Sequence, residues 1–156
     1  NRYNNMFNWN AAIVHQSNGR GGLYERTWNR AYLEGVLSGE NWALSTKVWQ
    51  LMFTRQSSDL HNKDIANYMG HGRFLFTYRY GRQALSLMLR NNLESRFKRG
   101  AIQVTYSVPL PTNQSSVLRH YRLYLLYFNG YGQSLIEYNT HAESYGVGLA
   151  YNDWIV

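Results

Sequence analysis

The stretch NYMGHGRFLFTYRY, residues 67–80, decides the fold class. Tyr68, Gly70, Gly72, Phe74, Phe76, Tyr78 and Tyr80 share one parity, and Asn67, His71, Arg73, Thr77 and Arg79 share the other. A period of two places alternate side chains on opposite faces of a strand. One face is then aromatic and the other cationic or polar. A helix over the same residues would scatter both sets around its circumference.

The same alternation runs outward in both directions. Residues 84–92 set Leu85, Leu87 and Leu89 against Ser86, Arg90 and Asn92, and residues 101–110 set Ile102, Val104, Tyr106 and Val108 against Gln103, Thr105 and Ser107. Residues 118–129 are less regular, with Tyr121, Leu123, Leu125 and Tyr127 opposite His120, Arg122 and Tyr124. A last stretch carries Tyr145, Val147, Leu149 and Tyr151 against Gly146, Gly148 and Ala150. Towards the start, residues 42–54 put Trp42, Leu44, Val48 and Met52 on one face and Ser45 and Lys47 on the other. Residues 24–38 oppose Asn29, Ala31, Leu33, Gly35 and Leu37 to Arg26, Trp28, Arg30, Tyr32 and Glu34. Residues 6–17 align Phe7, Trp9, Ala11, Ile13, His15 and Ser17 opposite Asn8 and Asn10.

Eight strands are thus predicted. Short turns fall near Gly39-Glu40, near Gly81-Arg82 and at 111–116. Longer loops fall at 18–25, 56–63, 93–100 and 130–143. Such unequal connections, with strands of about ten residues, are the signature of an antiparallel transmembrane β-barrel. A soluble sandwich or lipocalin-like barrel also alternates, but with its apolar face inward and a more charged surface. The polar faces here carry arginine, asparagine and threonine rather than a lysine/glutamate mixture.

Composition narrows the classes. The 156 residues include no cysteine, which excludes a disulfide scaffold, a thiol nucleophile and thiolate metal sites. The longest apolar run, residues 123–128, is far short of the ~20 residues a membrane-spanning helix needs. The formal net charge of +7 comes from 13 arginines and three lysines against nine acids. The arginines are spread along the chain without an extended basic run. Lipid phosphate or an arginine-lined interior therefore fits as well as nucleic acid does, and nucleic acid is not the partner expected. Asn1 is not an initiator methionine and no apolar leader follows it, so the chain is expected to be a processed product or a fragment.

Three polar residues stand on the apolar parity near one long loop. His15 and Ser17 lie two apart at the end of the first strand, on the face of Phe7, Trp9 and Ile13. Asn29 lies near the start of the second strand, on the face of Ala31, Leu33 and Leu37. An antiparallel hairpin brings the three to one level. Polar groups facing hydrocarbon are costly unless paired and useful. The chemistry they suit is acyl transfer. Ser17 attacks an ester carbonyl, His15 moves the proton, and Asn29 holds the imidazole in the required tautomer. Asparagine brings no charge, so help at the oxyanion matters more. The Gly19 amide and a bound cation are the candidates. Glu25, Asp59 and Asp64 lie in or beside neighbouring outer loops and read either as calcium donors or as ordinary loop carboxylates. The remaining histidines, His61, His71, His120 and His141, have no ligand-like spacing.

The order His15-Gln16-Ser17-Asn18-Gly19-Arg20 followed by Thr27-Trp28-Asn29-Arg30 closely resembles the signature of the outer-membrane phospholipase A family of Gram-negative bacteria. The resemblance continues through Tyr68-Met69-Gly70, Gly130-Tyr131-Gly132-Gln133-Ser134-Leu135-Ile136-Glu137-Tyr138-Asn139, Gly146-Val147-Gly148 and Asn152-Asp153. It implies a twelve-stranded barrel and calcium-dependent hydrolysis of phospholipid and lysophospholipid esters, activated by homodimerisation in the outer membrane. It implies that Ser17 is the nucleophile, His15 the base, Asn29 its orienter and Gly19 the oxyanion-hole amide. The Arg20 carbonyl would be a calcium ligand. This chain departs from the family in three ways. Eight strands are expected rather than twelve, so residues 1–156 read as one domain, the C-terminal two-thirds of the family barrel. Glu25 stands where the family usually has a calcium-binding serine, Gly22 where some members have aspartate, and Asp64 is a possible further contributor. Asp153-Trp154-Ile155-Val156 does not end on the terminal aromatic of the family. The alternative function on the same fold is a non-catalytic channel or structural pore.

Overall fold

The computed structural model describes residues 5–52, 62–92, 99–111 and 120–151. Eight antiparallel strands follow one another in chain order and pair in that order. They are β1 (Met6–Ser17), β2 (Thr27–Ser38), β3 (Trp42–Met52), β4 (Gly72–Tyr80), β5 (Gln83–Asn91), β6 (Gly100–Pro109), β7 (Tyr121–Gly130) and β8 (Ala142–Tyr151). No pairing joins β8 back to β1 among the described residues, so the sheet is an open ladder. The fold is all-β, and no helix among the described residues is long and apolar enough to cross a membrane.

The register explains why this sequence makes a two-faced sheet. Leu33 pairs with Val48, Phe74 with Leu89, Leu89 with Ile102, and Leu125 with both Tyr106 and Val147. One face is therefore a continuous apolar band. Phe7, Trp9, Ile13, Leu33, Phe74, Val147 and Leu149 on it are exposed. At the short-turn end the band is edged by Trp42, Tyr78, Tyr80, Tyr121 and Tyr151, with Tyr121 and Tyr151 packed edge-on at 5.2 Å. An apolar band rimmed with aromatics is the lipid-facing surface of a membrane barrel.

The opposite face is polar and internally paired. Glu34 takes Lys47 at 2.9 Å and Arg73 at 3.1 Å, and accepts the Ser45 hydroxyl at 2.6 Å. Arg122 donates to Ser107 at 2.7 Å, and Thr77 and Ser86 share a hydrogen bond of 2.9 Å. Near the long loops this interior is filled by Trp28, Trp49, Ile65, Met69 and Tyr138, backed by Tyr32, Leu51, Tyr68 and Leu135.

Two strand starts differ from expectation. The strand expected from residue 67 begins at Gly72, because Ile65–Met69 forms the short helix α1. Ile65 and Met69, four apart, are the two α1 residues buried in the interior. Their helical spacing wins over the parity that Tyr68 and Gly70 share with β4. The strand expected from residue 24 begins at Thr27, because Gly22–Tyr24 makes a single 3-10 turn. The turn expected at 111–116 and the residues Asp59, His61 and 153–156 lie outside the described residues, the turn all but Pro111.

Gly70 ends α1 at φ 74°, and a Cβ there would meet the Asn91 carbonyl oxygen at 2.3 Å. Gly70→Ala is expected to cost on the order of 2 kcal/mol or more, from backbone strain and overpacking together. Gly148→Ala is the control, because nothing lies within 4 Å of its Cβ position. Denaturant midpoints in detergent measure both, with Gly70→Ala well below the parent and Gly148→Ala close to it.

Candidate active site

The site sits on the outward face of the β1–β2 hairpin, at the end bearing the long loops. The ladder sets His15 opposite Asn29 and Ser17 opposite Thr27. What fixes this facing is the inward set between them. Trp28 is 3% exposed, and its Nε1 donates to Gln16 Oε1 at 2.9 Å. Arg30 donates to the same oxygen at 3.1 Å and stacks on the Trp28 ring at 3.8 Å. With Gln16, Trp28 and Arg30 inside, strand alternation turns His15, Ser17, Thr27 and Asn29 outward onto the apolar band.

His15 Nδ1 lies 2.7 Å from Asn29 Oδ1. A carboxamide oxygen only accepts, so Nδ1 carries the proton and Nε2 is left with its lone pair. That is the tautomer a general base needs. Ser17 Oγ accepts from the Gly19 amide at 3.2 Å and from Thr27 Oγ1 at 3.2 Å. His15 and Ser17 share a face but are not bonded to each other here. Such contacts commonly tighten only when substrate is bound.

The nine residues 18–26 are held as one unit. Asn18 donates to the Tyr24 carbonyl at 2.6 Å, and its Oδ1 accepts the amides of Arg20 at 3.2 Å and Arg26 at 3.1 Å. Gly19 has φ 66°, which turns the chain sharply after Ser17 and aims its amide back at the hydroxyl. Arg26 clamps the far side, donating to the carbonyls of Leu23 and Glu25 at 2.9 Å each.

Arg20 and Glu25 both belong to this loop, and they bring a carbonyl and a carboxylate. Both are hard oxygen donors of the kind calcium takes, but too few for its usual shell of six to eight. No three His, Asp or Glu side chains gather among the described residues. Asp64 stands at the start of α1, where its carboxylate accepts the Tyr138 hydroxyl, and Arg26 of the loop lies over the Tyr138 ring at 5.8 Å. Burial and that carboxylate push the Tyr138 phenol above its ordinary pKa. Thr27, Gln16 and Tyr138 are contacts that residue spacing alone did not single out. The pairing register reveals the first, and the second sits unremarked between His15 and Ser17.

Asn29→Ala is expected to lower kcat about tenfold to a hundredfold, the value of one hydrogen bond to a charging imidazole, with little change in KM. Steady-state hydrolysis of a micellar ester substrate measures it.

A family model described as phospholipase A1 matches residues 3–151. The phospholipase A1 of Salmonella typhimurium is 34% identical over 139 residues, covering 89% of this chain and 44% of its own length. Among solved structures, the calcium-bound dimer of the Salmonella typhi outer membrane phospholipase superposes with a TM-score of 0.76 at 32% identity, over 93% of this chain and 54% of that one. An active-site mutant of the Escherichia coli outer membrane phospholipase A, with asparagine replaced by alanine, superposes with a TM-score of 0.74 at 30% identity, covering 93% and 53%. The chain spans about half the length of these relatives.

Proposed function

The chain belongs to the phospholipase A1 family, and we propose that it is the catalytic part of a calcium-dependent outer-membrane phospholipase that cleaves acyl esters of phospholipids and lysophospholipids. The observation that carries this reading is the His15–Asn29 bond beside Ser17 on the lipid-facing side of β1 and β2. A soluble enzyme would bury such a group in a cleft. This one meets a substrate that arrives through the hydrocarbon.

Ser17 Oγ attacks the ester carbonyl carbon as its proton passes to His15 Nε2. The tetrahedral oxyanion takes the Gly19 amide, which already lies 3.2 Å from Oγ. His15 returns the proton to the leaving alcohol, which departs as the deacylated lipid. Water then attacks the acyl-serine, again with His15 as base, and the fatty acid leaves. Asn29 keeps Nδ1 protonated throughout but adds no counter-charge. A bound calcium would supply positive charge near the developing oxyanion. Its proposed donors on this chain are the Arg20 carbonyl and the Glu25 carboxylate. Asp64 would join them only by sharing its carboxylate with Tyr138.

Two donors from one loop leave room for ligands from a second copy, which supports a homodimer joined at the apolar band. The open edges of β1 and β8 would leave backbone groups unpaired in hydrocarbon, which supports closure by further strands into the larger family barrel. The reading is tested with the protein in detergent micelles containing a diacyl phospholipid and calcium. Release of fatty acid, with the lysophospholipid then consumed in turn, is expected. Intact substrate after prolonged incubation with folded protein would reject it.

A further inference from the structure

We propose that Thr27 is a positioning residue for the nucleophile, holding Ser17 Oγ from across the hairpin while its proton passes to His15. The inference rests on the reading of Ser17 as the nucleophile. A serine hydroxyl has one proton and two lone pairs. Ser17 Oγ accepts two hydrogen bonds here, from the Gly19 amide and from Thr27 Oγ1, both at 3.2 Å. With both lone pairs taken, the hydroxyl can only donate its own proton outward, and the base on this face is His15.

The two donors are not equivalent during the reaction. The Gly19 amide carries one hydrogen. The oxyanion is the stronger acceptor, so that hydrogen turns from Oγ towards it as the tetrahedral centre forms. Thr27 is then the donor that still steadies Oγ. It is well placed to do so without reorganising. The ladder seats it directly opposite Ser17, its neighbour Trp28 is buried in the interior, and its carbonyl accepts Asn62 Nδ2 at 2.8 Å. The β-branch restricts its χ1. A hydroxyl donor at a lipid-facing site also counts for more than the same bond in water.

The test uses the full-length protein in detergent micelles with saturating calcium. It compares the parent, Thr27→Val, Thr27→Ser and Ser17→Ala. Thr27→Val keeps the shape and removes the donor, and kcat is expected to fall about tenfold, the value of one hydrogen bond, with KM within about twofold. Thr27→Ser is expected to recover most of that loss. The pH at which kcat/KM is half-maximal should stay at the parent value in Thr27→Val, because the His15–Asn29 bond is untouched. Full activity in Thr27→Val beside an inactive Ser17→Ala would overturn this inference alone. So would a loss in Thr27→Ser equal to that in Thr27→Val, or a loss confined to KM. Parent-level activity in Ser17→Ala would overturn this inference and the proposed function together.

Discussion

Ser17→Ala is expected to lower phospholipid hydrolysis by about four orders of magnitude or more, down to whatever the oxyanion donors and binding alone sustain. The size follows from the absence of a substitute. The oxygen that the Gly19 amide and Thr27 hydroxyl hold belongs to Ser17, and both lose their partner with it. His15 would keep its bond to Asn29, 14 residues away in sequence, and would face the ester without a nucleophile. Folding should be unaffected, because Ser17 is exposed and buries nothing. Equal denaturation midpoints with divergent rates are the expected pair of results. Measurable turnover in the variant, at more than about a hundredth of the parent rate, would move the chemistry away from Ser17.

Removal of calcium is expected to have the next largest effect. Chelation should lower turnover by at least about a hundredfold, the scale of losing one stabilising group at the oxyanion. Asn29 is neutral, so on the proposed mechanism no carboxylate would stabilise the imidazolium, and without the cation the Gly19 amide would face the oxyanion unaided. Added calcium should restore the rate. Magnesium should restore little, since it demands a smaller and stricter octahedral shell than carbonyl and carboxylate oxygens spaced for calcium would provide. Glu25→Ala should raise the calcium concentration needed for half-maximal rate. Rates that are indifferent to chelator, in a folded and otherwise active protein, would remove the cation from the account.

The strands were legible because their constraint is local. A lipid-facing band forces apolar side chains onto every second position, and Phe74, Phe76 and Tyr78 opposite Arg73, Thr77 and Arg79 express that directly. The helix Ile65–Met69 was not legible for the converse reason. Its five residues are too few for a period of 3.6 to stand out, and Tyr68 and Gly70 happen to extend the parity of β4. Ser17, His15 and Asn29 could be picked out because they break the apolar parity of their strands. Thr27 breaks no pattern, since residue 27 lies at a strand start where polar residues are usual. Its role appears only once the register pairs it with Ser17. The bond from Tyr138 to Asp64 spans 74 residues and joins two loops, a relation that periodicity does not encode. The proposed calcium donors were the least legible part, because two oxygens on one loop, the Arg20 carbonyl and the Glu25 carboxylate, would make an incomplete shell for that ion.

The most direct test is to let the folded protein react in micelles, with calcium, with a long-chain alkyl sulfonyl fluoride, and to map the covalent adduct by mass spectrometry. An activated serine displaces fluoride and becomes a stable sulfonate ester. The account predicts a single adduct on Ser17, formed in step with the loss of hydrolysis, and no adduct when His15 is replaced by phenylalanine. A protein whose activity is lost through modification elsewhere, or which continues to hydrolyse phospholipid with Ser17 fully sulfonylated, would contradict it.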